Sequence, residues 1–203
     1  MSSDFSILML CTGNICRSPF AERLLAEQVA DFSGIQVSSA GTHAMAGEGM
    51  FPETQKIAQS FGVEDVESHQ ARQVTAEMLE AADLVLTMSR EHRKEAVELS
   101  PRVTRRTFAL REFARLIEAT PDDILASDLE PVGDSSEERL RAAVQSVALS
   151  RSQVASVSGP AADEVIDPYR QSTDVHQTSA NQLVPAVETV ANLLRKVLSG
   201  TIT

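Results

Sequence analysis

The run Phe5-Ser6-Ile7-Leu8-Met9-Leu10 passes without a break into Cys11-Thr12-Gly13-Asn14-Ile15-Cys16-Arg17-Ser18-Pro19. A short apolar run that meets a Gly-containing loop at once reads as a buried parallel strand. Ser18-Pro19 then predicts a helix start, because serine can cap free amides and proline suits the first helical position. Leu24, Leu25, Gln28 and Val29 continue at helical spacing. The first unit is therefore strand, tight loop, helix.

Outward from this unit the alternation repeats. A second strand is expected from Ile35 to Ser39, ending at Ala40-Gly41-Thr42, and a helix from Pro52 to Phe61, stopped by Gly62. A short helix at Thr75 to Ala81 leads into a third strand, Asp83 to Met88. A helix from Arg90 to Leu99 ends at Ser100-Pro101 and leads to a fourth strand, Thr107 to Leu110, and a helix from Arg111 to Glu118. Strands alternating with helices predict an α/β fold of three layers, a four-stranded parallel sheet with helices on both faces. In such sheets ligands sit beyond the carboxyl ends of the strands, which puts the Cys11–Ser18 loop in the binding crevice.

From 119 to about 163 the rhythm breaks into a stretch rich in Asp, Glu, Ser, Ala and Pro. Ser135 and Glu138 have capping-box spacing, and Leu140, Ala143, Val144 and Val147 recur at helical spacing. The expectation is an acidic linker, one amphipathic helix and a loose segment ending near Gly159-Pro160. A last helix, Ser179 to Leu198, carries Leu183, Val187, Val190, Leu194 and Val197 as a stripe, with Gly200 as its stop. The chain thus reads as a single domain over residues 1–203 with an acidic, partly helical insert at about 119–163.

Composition narrows the partners. The chain has 203 residues, 42% hydrophobic and 23% charged, enough for a core without disulfide staples. Lys and Arg total 18 against 29 Asp and Glu, a net charge of −11, which argues against nucleic acid or an anionic membrane as partner. There is no apolar run of about 18 residues and no basic, apolar leader at Met1-Ser2-Ser3-Asp4, so a cytoplasmic location is expected. The two cysteines, Cys11 and Cys16, make no disulfide framework. A monomer or weak dimer is expected.

The loop carries the chemistry. Gly13 is expected to let the backbone turn successive amides inward into an anion-binding nest. The following helix aims its positive end at the same point, and Arg17 adds a planar fork that fits two phosphate oxygens. Cys11, at the strand end, points into this positive concavity, which favours the thiolate. A nucleophilic sulfur beneath a tetrahedral dianion is the geometry for in-line attack on phosphorus. Alone, Cys11 reads as a small core residue, Arg17 as a surface charge and Gly13 as a turn. Cysteine, five residues, arginine and serine between an apolar run and a helix form a specific joint pattern. A nucleotide P-loop is excluded because no Gly-Lys-Ser/Thr occurs, and Gly13 is the only glycine in the loop, so a dinucleotide fingerprint fails too.

The loop resembles, nearly letter for letter, the signature of the low-molecular-weight protein tyrosine phosphatases. Ser38-Ser39-Ala40-Gly41-Thr42 and Ser68-His69-Gln70-Ala71-Arg72-Gln73 are similar to two further segments of that family, and Asp167-Pro168-Tyr169 to its acid loop. The likeness spans Phe5 to Leu116 and about Val165 to Leu198. It implies a two-step hydrolysis of phosphotyrosine in proteins, or of a small aryl phosphate, with no metal and no cofactor. Cys11 would hold the phosphoryl group as a thiophosphate, while Arg17 and the amides of Thr12, Gly13, Asn14, Ile15, Cys16 and Ser18 stabilise the equatorial oxygens. Asp167 would protonate the leaving phenolate and then deprotonate water. Read alone, Asp-Pro-Tyr is a plain turn. The likeness also implies that His69 and Ser39 help hold the loop through Asn14, that Ser18 hydrogen-bonds the thiolate, and that Tyr169 flanks the mouth. For Cys16 two readings stand: a reversible disulfide with Cys11 that spares it from irreversible oxidation, or a small buried filler. His43, His69, His92 and His176 are too scattered to suggest a metal site.

Three departures stand out. His43-Ala44-Met45-Ala46 lacks the aromatic residue usual on the cleft wall, which leaves Tyr169 as the main aromatic at the mouth, with Arg170 after it. Ser89 stands where a carboxylate is common. The 119–163 stretch is longer than the usual connection, and covering the site, binding a partner and solvated decoration all stay open for it. Two other functions compete with the phosphatase. An arsenate reductase would use the same loop; with only Cys11 and Cys16 it would need an external thiol, and Asp167 beside Tyr169 would be idle in it. A phosphate-sensing module without turnover would be expected to have lost Cys11 or Asp167.

Overall fold

In the computed structural model, which describes residues 4–152 and 160–202, β1 (Phe5–Cys11) has a strand on either side and a helical layer on either face. Its side chains alternate accordingly. Phe5, Ile7, Met9 and Cys11 enter the larger core, while Leu8 and Leu10 enter a second one. A strand buried on both faces is apolar almost throughout, which is why the run shows no polar alternation; Ser6, half-buried near its start, bonds Ala81 O and Asp83.

β2 (Ile35–Gly41), β3 (Leu84–Thr87) and β4 (Thr107–Ala109) complete a four-stranded parallel sheet in the order β2-β1-β3-β4. The chain reverses its direction of sheet-building at β1, and the loop after β1 opens at this switch point. α1 (Arg17–Gln28), α2 (Pro52–Ser60), α5 (Leu110–Ala119) and α8 (Thr173–Ser199) supply the larger core through Leu24, Leu25, Ile57, Phe113, Leu183 and Val187. α3 (Ala76–Ala81) and α4 (Arg90–Leu99) cover the other face through Leu79 and Ala96. This is the expected three-layer α/β fold.

Several boundaries shift for identifiable reasons. α1 begins at Arg17 rather than Ser18: Cys16 takes the N-cap position without a side-chain cap, and the Ser18 hydroxyl, inside the first turn, is turned to Cys11. Thr75 and Ser89 are the N-caps of α3 and α4, accepting from the Met78 and His92 amides. α8 starts six residues early and continues through Pro185, although proline supplies no N–H to the helical ladder. Gly200 ends it in the left-handed conformation at φ 68°.

The 119–163 stretch differs most. The segment expected as an acidic linker contains a helix, α6 (Asp122–Leu129), followed by α7 (Ser136–Leu149) with Ser135 as its N-cap. Leu125, Leu129, Leu140, Ala143, Val144 and Val147 are buried in the larger core. One apolar run, Ile124-Leu125-Ala126, and a single Leu129 in acidic surroundings are too few for a stripe that reads as a helix, yet tertiary burial suffices to hold α6. The loose segment expected near Gly159 lies outside the described residues, as do Met1 to Ser3. The chain is described again from the 3-10 turn Pro160–Asp163. No helix among the described residues is long and apolar enough to cross a membrane.

Candidate active site

The loop after β1 is built by fixing its carbonyls from outside. Cys11 O accepts from Thr42 N at 2.9 Å, Thr12 O from His43 N at 3.0 Å, Gly13 O from Met45 N at 3.0 Å and Ile15 O from Phe51 N at 2.8 Å. Asn14 O accepts from His69 Nε2 at 2.6 Å. In a trans peptide N–H and C=O point opposite ways, so a row of outward-held carbonyls leaves the amides facing inward. α1 begins at Arg17 and adds the amides of its first turn.

Asn14, not Gly13, makes the turn. Asn14 sits in the left-handed region at φ 56°, and Gly13 does not. A Cβ on Gly13 would meet nothing nearer than 3.4 Å. The expected use of glycine's freedom is therefore corrected: asparagine tolerates this conformation when its side chain is bonded locally. Asn14 Nδ2 donates to Ser18 Oγ at 3.0 Å and Ser39 Oγ at 2.8 Å, and Asn14 Oδ1 accepts from Arg72 N at 2.9 Å. The close approach that does demand glycine is at Gly41, where a Cβ would lie 2.4 Å from Thr12 O.

Cys11 is buried at the floor. Its sulfur lies 3.0 Å from Ser18 Oγ and accepts from Asn14 N at 3.3 Å. Cys16 is buried beside it, and desolvation, with Cys11 and Asp167 nearby acting the same way, pushes its thiol up to about 12 against a lowering hydrogen bond with Thr54. Both cysteines are free thiols. Arg17 is 6% exposed, and its guanidinium spans the loop to the segment carrying the aspartate. Nη1 donates to Val165 O at 3.1 Å and Nη2 pairs with Asp167 Oδ2 at 2.9 Å. Its Nε is buried and has no acceptor among the described residues. Asp167, 53% exposed, stands at the mouth.

The cleft has a volume of about 220 Å³ and is lined by Cys11, Thr12, Gly13, Ile15, Cys16 and Arg17 on the floor, with His43, Met45, Asp167 and Tyr169 above. Tyr169 packs edge-on to Phe51 at 5.6 Å, with the Arg170 guanidinium 5.0 Å over its ring. Every residue proposed from sequence for substrate binding or catalysis therefore meets here, except Asn14 and Ser18, which lie buried beneath as supports, beside Ser39 and His69.

Two supports escaped the sequence reading. His92, set aside as scattered, places Nε2 2.8 Å from Thr12 Oγ1 and Nδ1 2.8 Å from Ser89 Oγ. Burial, reinforced by Arg17, lowers it to about 4, so the imidazole is neutral at pH 7. The position of the missing carboxylate is thus occupied by a helix cap that orients a histidine. The readable signal was Ser89-x-x-His92, an N-cap hydroxyl three residues before the ring. Arg72 is the second: its Nε donates to Ser39 O at 2.8 Å. Burial, partly offset by the hydrogen bond to Asn14 O, also lowers His69, consistent with a neutral ring that donates from Nε2. Among the described residues no three His, Cys, Asp or Glu converge to hold a metal.

The comparisons with known proteins agree with this geometry. The model of the family described as low molecular weight phosphotyrosine protein phosphatase matches residues 6–154. Low molecular weight protein-tyrosine-phosphatase Etp of Escherichia coli K12 is 40% identical over 108 residues, 53% of this chain and 70% of that protein. The crystal structure of the tyrosine phosphatase AmsI of Erwinia amylovora superposes with a TM-score of 0.64 at 25% identity, covering 93% of this chain and 92% of that one. The arginine phosphatase YwlE of Geobacillus stearothermophilus shares the fold with a TM-score of 0.65 at 23% identity, covering 95% of this chain and 94% of that one. By sequence match and by fold, this chain belongs to the low molecular weight phosphotyrosine protein phosphatase family.

Proposed function

We propose that the protein removes phosphate from phosphotyrosine in a protein, or from a small aryl phosphate, with Cys11 as nucleophile and Asp167 as general acid. The observation that carries this is the set of outward-held carbonyls from Cys11 to Ile15 around a buried sulfur that accepts from Asn14 N. A phosphate dianion in this ring meets the inward amides and Arg17, whose buried Nε has no acceptor among the described residues. The dianion competes with Asp167 for the guanidinium; a protonated Asp167 surrenders it without charge repulsion and keeps a proton for the leaving oxygen.

Sulfur attacks phosphorus as the phenolic oxygen departs in line, taking the proton of Asp167. Charge on the three equatorial oxygens falls on fixed donors, which need no reorganisation during the step. Asp167, now a carboxylate, takes a proton from water as it attacks the thiophosphate, and Cys11 leaves as thiolate. Ile15, Met45 and the ring of Tyr169 give the cleft apolar surface, which suits an aryl group. The enzyme works as a monomer or weak dimer in the cytoplasm, needs neither cofactor nor metal, and has no nucleic acid or membrane as its partner; the net charge of −11 supports the last point.

One preparation tests this. 4-Nitrophenyl phosphate, a phosphotyrosine peptide, a phosphoarginine peptide and arsenate with several thiols are offered without metal. Turnover of the first two at the highest kcat/KM, abolished in Cys11→Ser, is the expected result. Preference for phosphoarginine, thiol-dependent arsenate reduction faster than ester hydrolysis, or an absolute metal requirement would contradict it.

A further inference from the structure

The segment that delivers Asp167 is tied down by charges with no part in the steps above. Asp163 ends the turn Pro160–Asp163, and its side chain is 1% exposed. Its Oδ2 accepts from Arg90 Nε at 3.1 Å and Nη2 at 2.5 Å, and its Oδ1 from Arg115 Nη2 at 2.8 Å. Arg90 opens α4 directly after β3, and Arg115 lies in α5, so one carboxylate bridges the sheet's C-terminal edge and a core helix. Burial alone would raise this carboxyl; the hydrogen bonds and charges of Arg115 and Arg90 outweigh it and hold it below the ordinary value.

From Asp163 the chain runs in fixed register to the acid. Glu164 O accepts from Arg111 Nη1 at 2.8 Å, and Val165 N donates to Met88 O at 2.9 Å. Val165 O accepts from Arg17, and Ile166 N donates to Gln182 Oε1 at 2.8 Å. These later ties are single bonds, whereas the carboxylate of Asp163 is held by two guanidiniums on two elements. A carboxylate buried in an ion pair is a costly way to gain stability, and fixing one arrangement is its better-attested use.

We propose that Asp163, clamped between Arg90 and Arg115, is a positioning residue that sets where the acid loop leaves the body of the protein and so holds Asp167 over the leaving oxygen. It acts through Asp167, not on the substrate, and the inference rests on the reading of Asp167 as general acid.

The test is leaving-group dependence. kcat/KM is measured for aryl phosphates from 4-nitrophenyl to phenyl in the native chain, Asp163→Asn, Asp167→Ala and the double variant, with inorganic phosphate inhibition as the check on the loop. Asp163→Asn is expected to slow phenyl phosphate about tenfold more than 4-nitrophenyl phosphate, with phosphate inhibition unchanged, and to add nothing to that selectivity in the Asp167→Ala background. Arg115→Gln, a milder opening of the same clamp, is expected to shift selectivity the same way and stands in if Asp163→Asn fails to fold. Equal losses on both esters, or the same selectivity change without Asp167, would overturn the inference while leaving the acid assignment intact. No leaving-group dependence in Asp167→Ala alone would overturn that assignment, and this inference with it.

Discussion

Asn14 is the residue on which the loop turns. It takes the left-handed conformation itself, and its side chain then ties β2, α1 and the Arg72 segment together. Asn14→Ala removes three hydrogen bonds, two of them buried, and leaves Arg72 N without its acceptor, so a loss of about 2–4 kcal/mol in denaturant unfolding is expected, with a large fall in kcat/KM. Asn14→Gly relaxes the backbone but not the bonds, so it should recover only part of the loss. Gly41→Ala is a sharper steric probe: its Cβ would sit 2.4 Å from Thr12 O. The loop must move, and weaker inhibition by inorganic phosphate is the expected reading. Asn14 was singled out in the sequence because a motif named it; the true duty of Gly41 was hidden, because close approach between two loops leaves no local periodic mark.

Ionisation belongs to this scale too. His92 takes its proton near 4 in the native state, against 6.5 ordinarily, because burial and Arg17 disfavour its charge. The unfolded chain therefore binds a proton that the native state refuses. Stability from this group is complete above about pH 6.5 and falls as pH drops towards 4, by about 3 kcal/mol in all. His69 is shifted in the same direction and adds to the fall. Thermal unfolding from pH 7 to 4 should show a steady decline in Tm, and His92→Gln should flatten it; a Tm indifferent to pH in this range would refute the neutral buried histidine.

At the scale of elements, β1, the loop and α1 were legible because each announces itself locally: an apolar run, a loop motif, a helical stripe. The third and fourth strands and α4 were legible for the same reason. α6 was not, since Leu125 and Leu129 gain their burial only from packing into a core assembled by distant elements. α7 is held by that same core. Leu140 and Val147 are buried with the sheet, so this stretch is part of the core rather than a detachable ornament. Leu140→Ala should cost about 2–5 kcal/mol in denaturant unfolding. A change within a few tenths, as for a surface residue, would show that α7 contributes nothing to the body.

At the scale of the whole molecule, the sheet order places the switch point at β1, and the groups of the cleft gather at that one edge. The residues of the floor lie within Cys11–Arg17, which is why sequence alone could collect them. The supports come from β2, the 69–72 segment and the start of α4, and the acid from beyond α7. Those long-range pairings are fixed by topology, so His92 and the clamp on Asp163 emerged only with the fold. With a net charge of −11, the anion site owes its attraction to local amides and one arginine rather than to the global field.

The central claim is that the sulfur of Cys11 takes the phosphoryl group within that ring of amides. Acid quenching during turnover of an aryl phosphate, followed by peptide mass spectrometry, tests it most directly. The account predicts one phosphoryl group on the peptide carrying Cys11, absent in Cys11→Ser even though that variant still binds phosphate. Steady turnover with no label on Cys11, or a label on another residue, would contradict it.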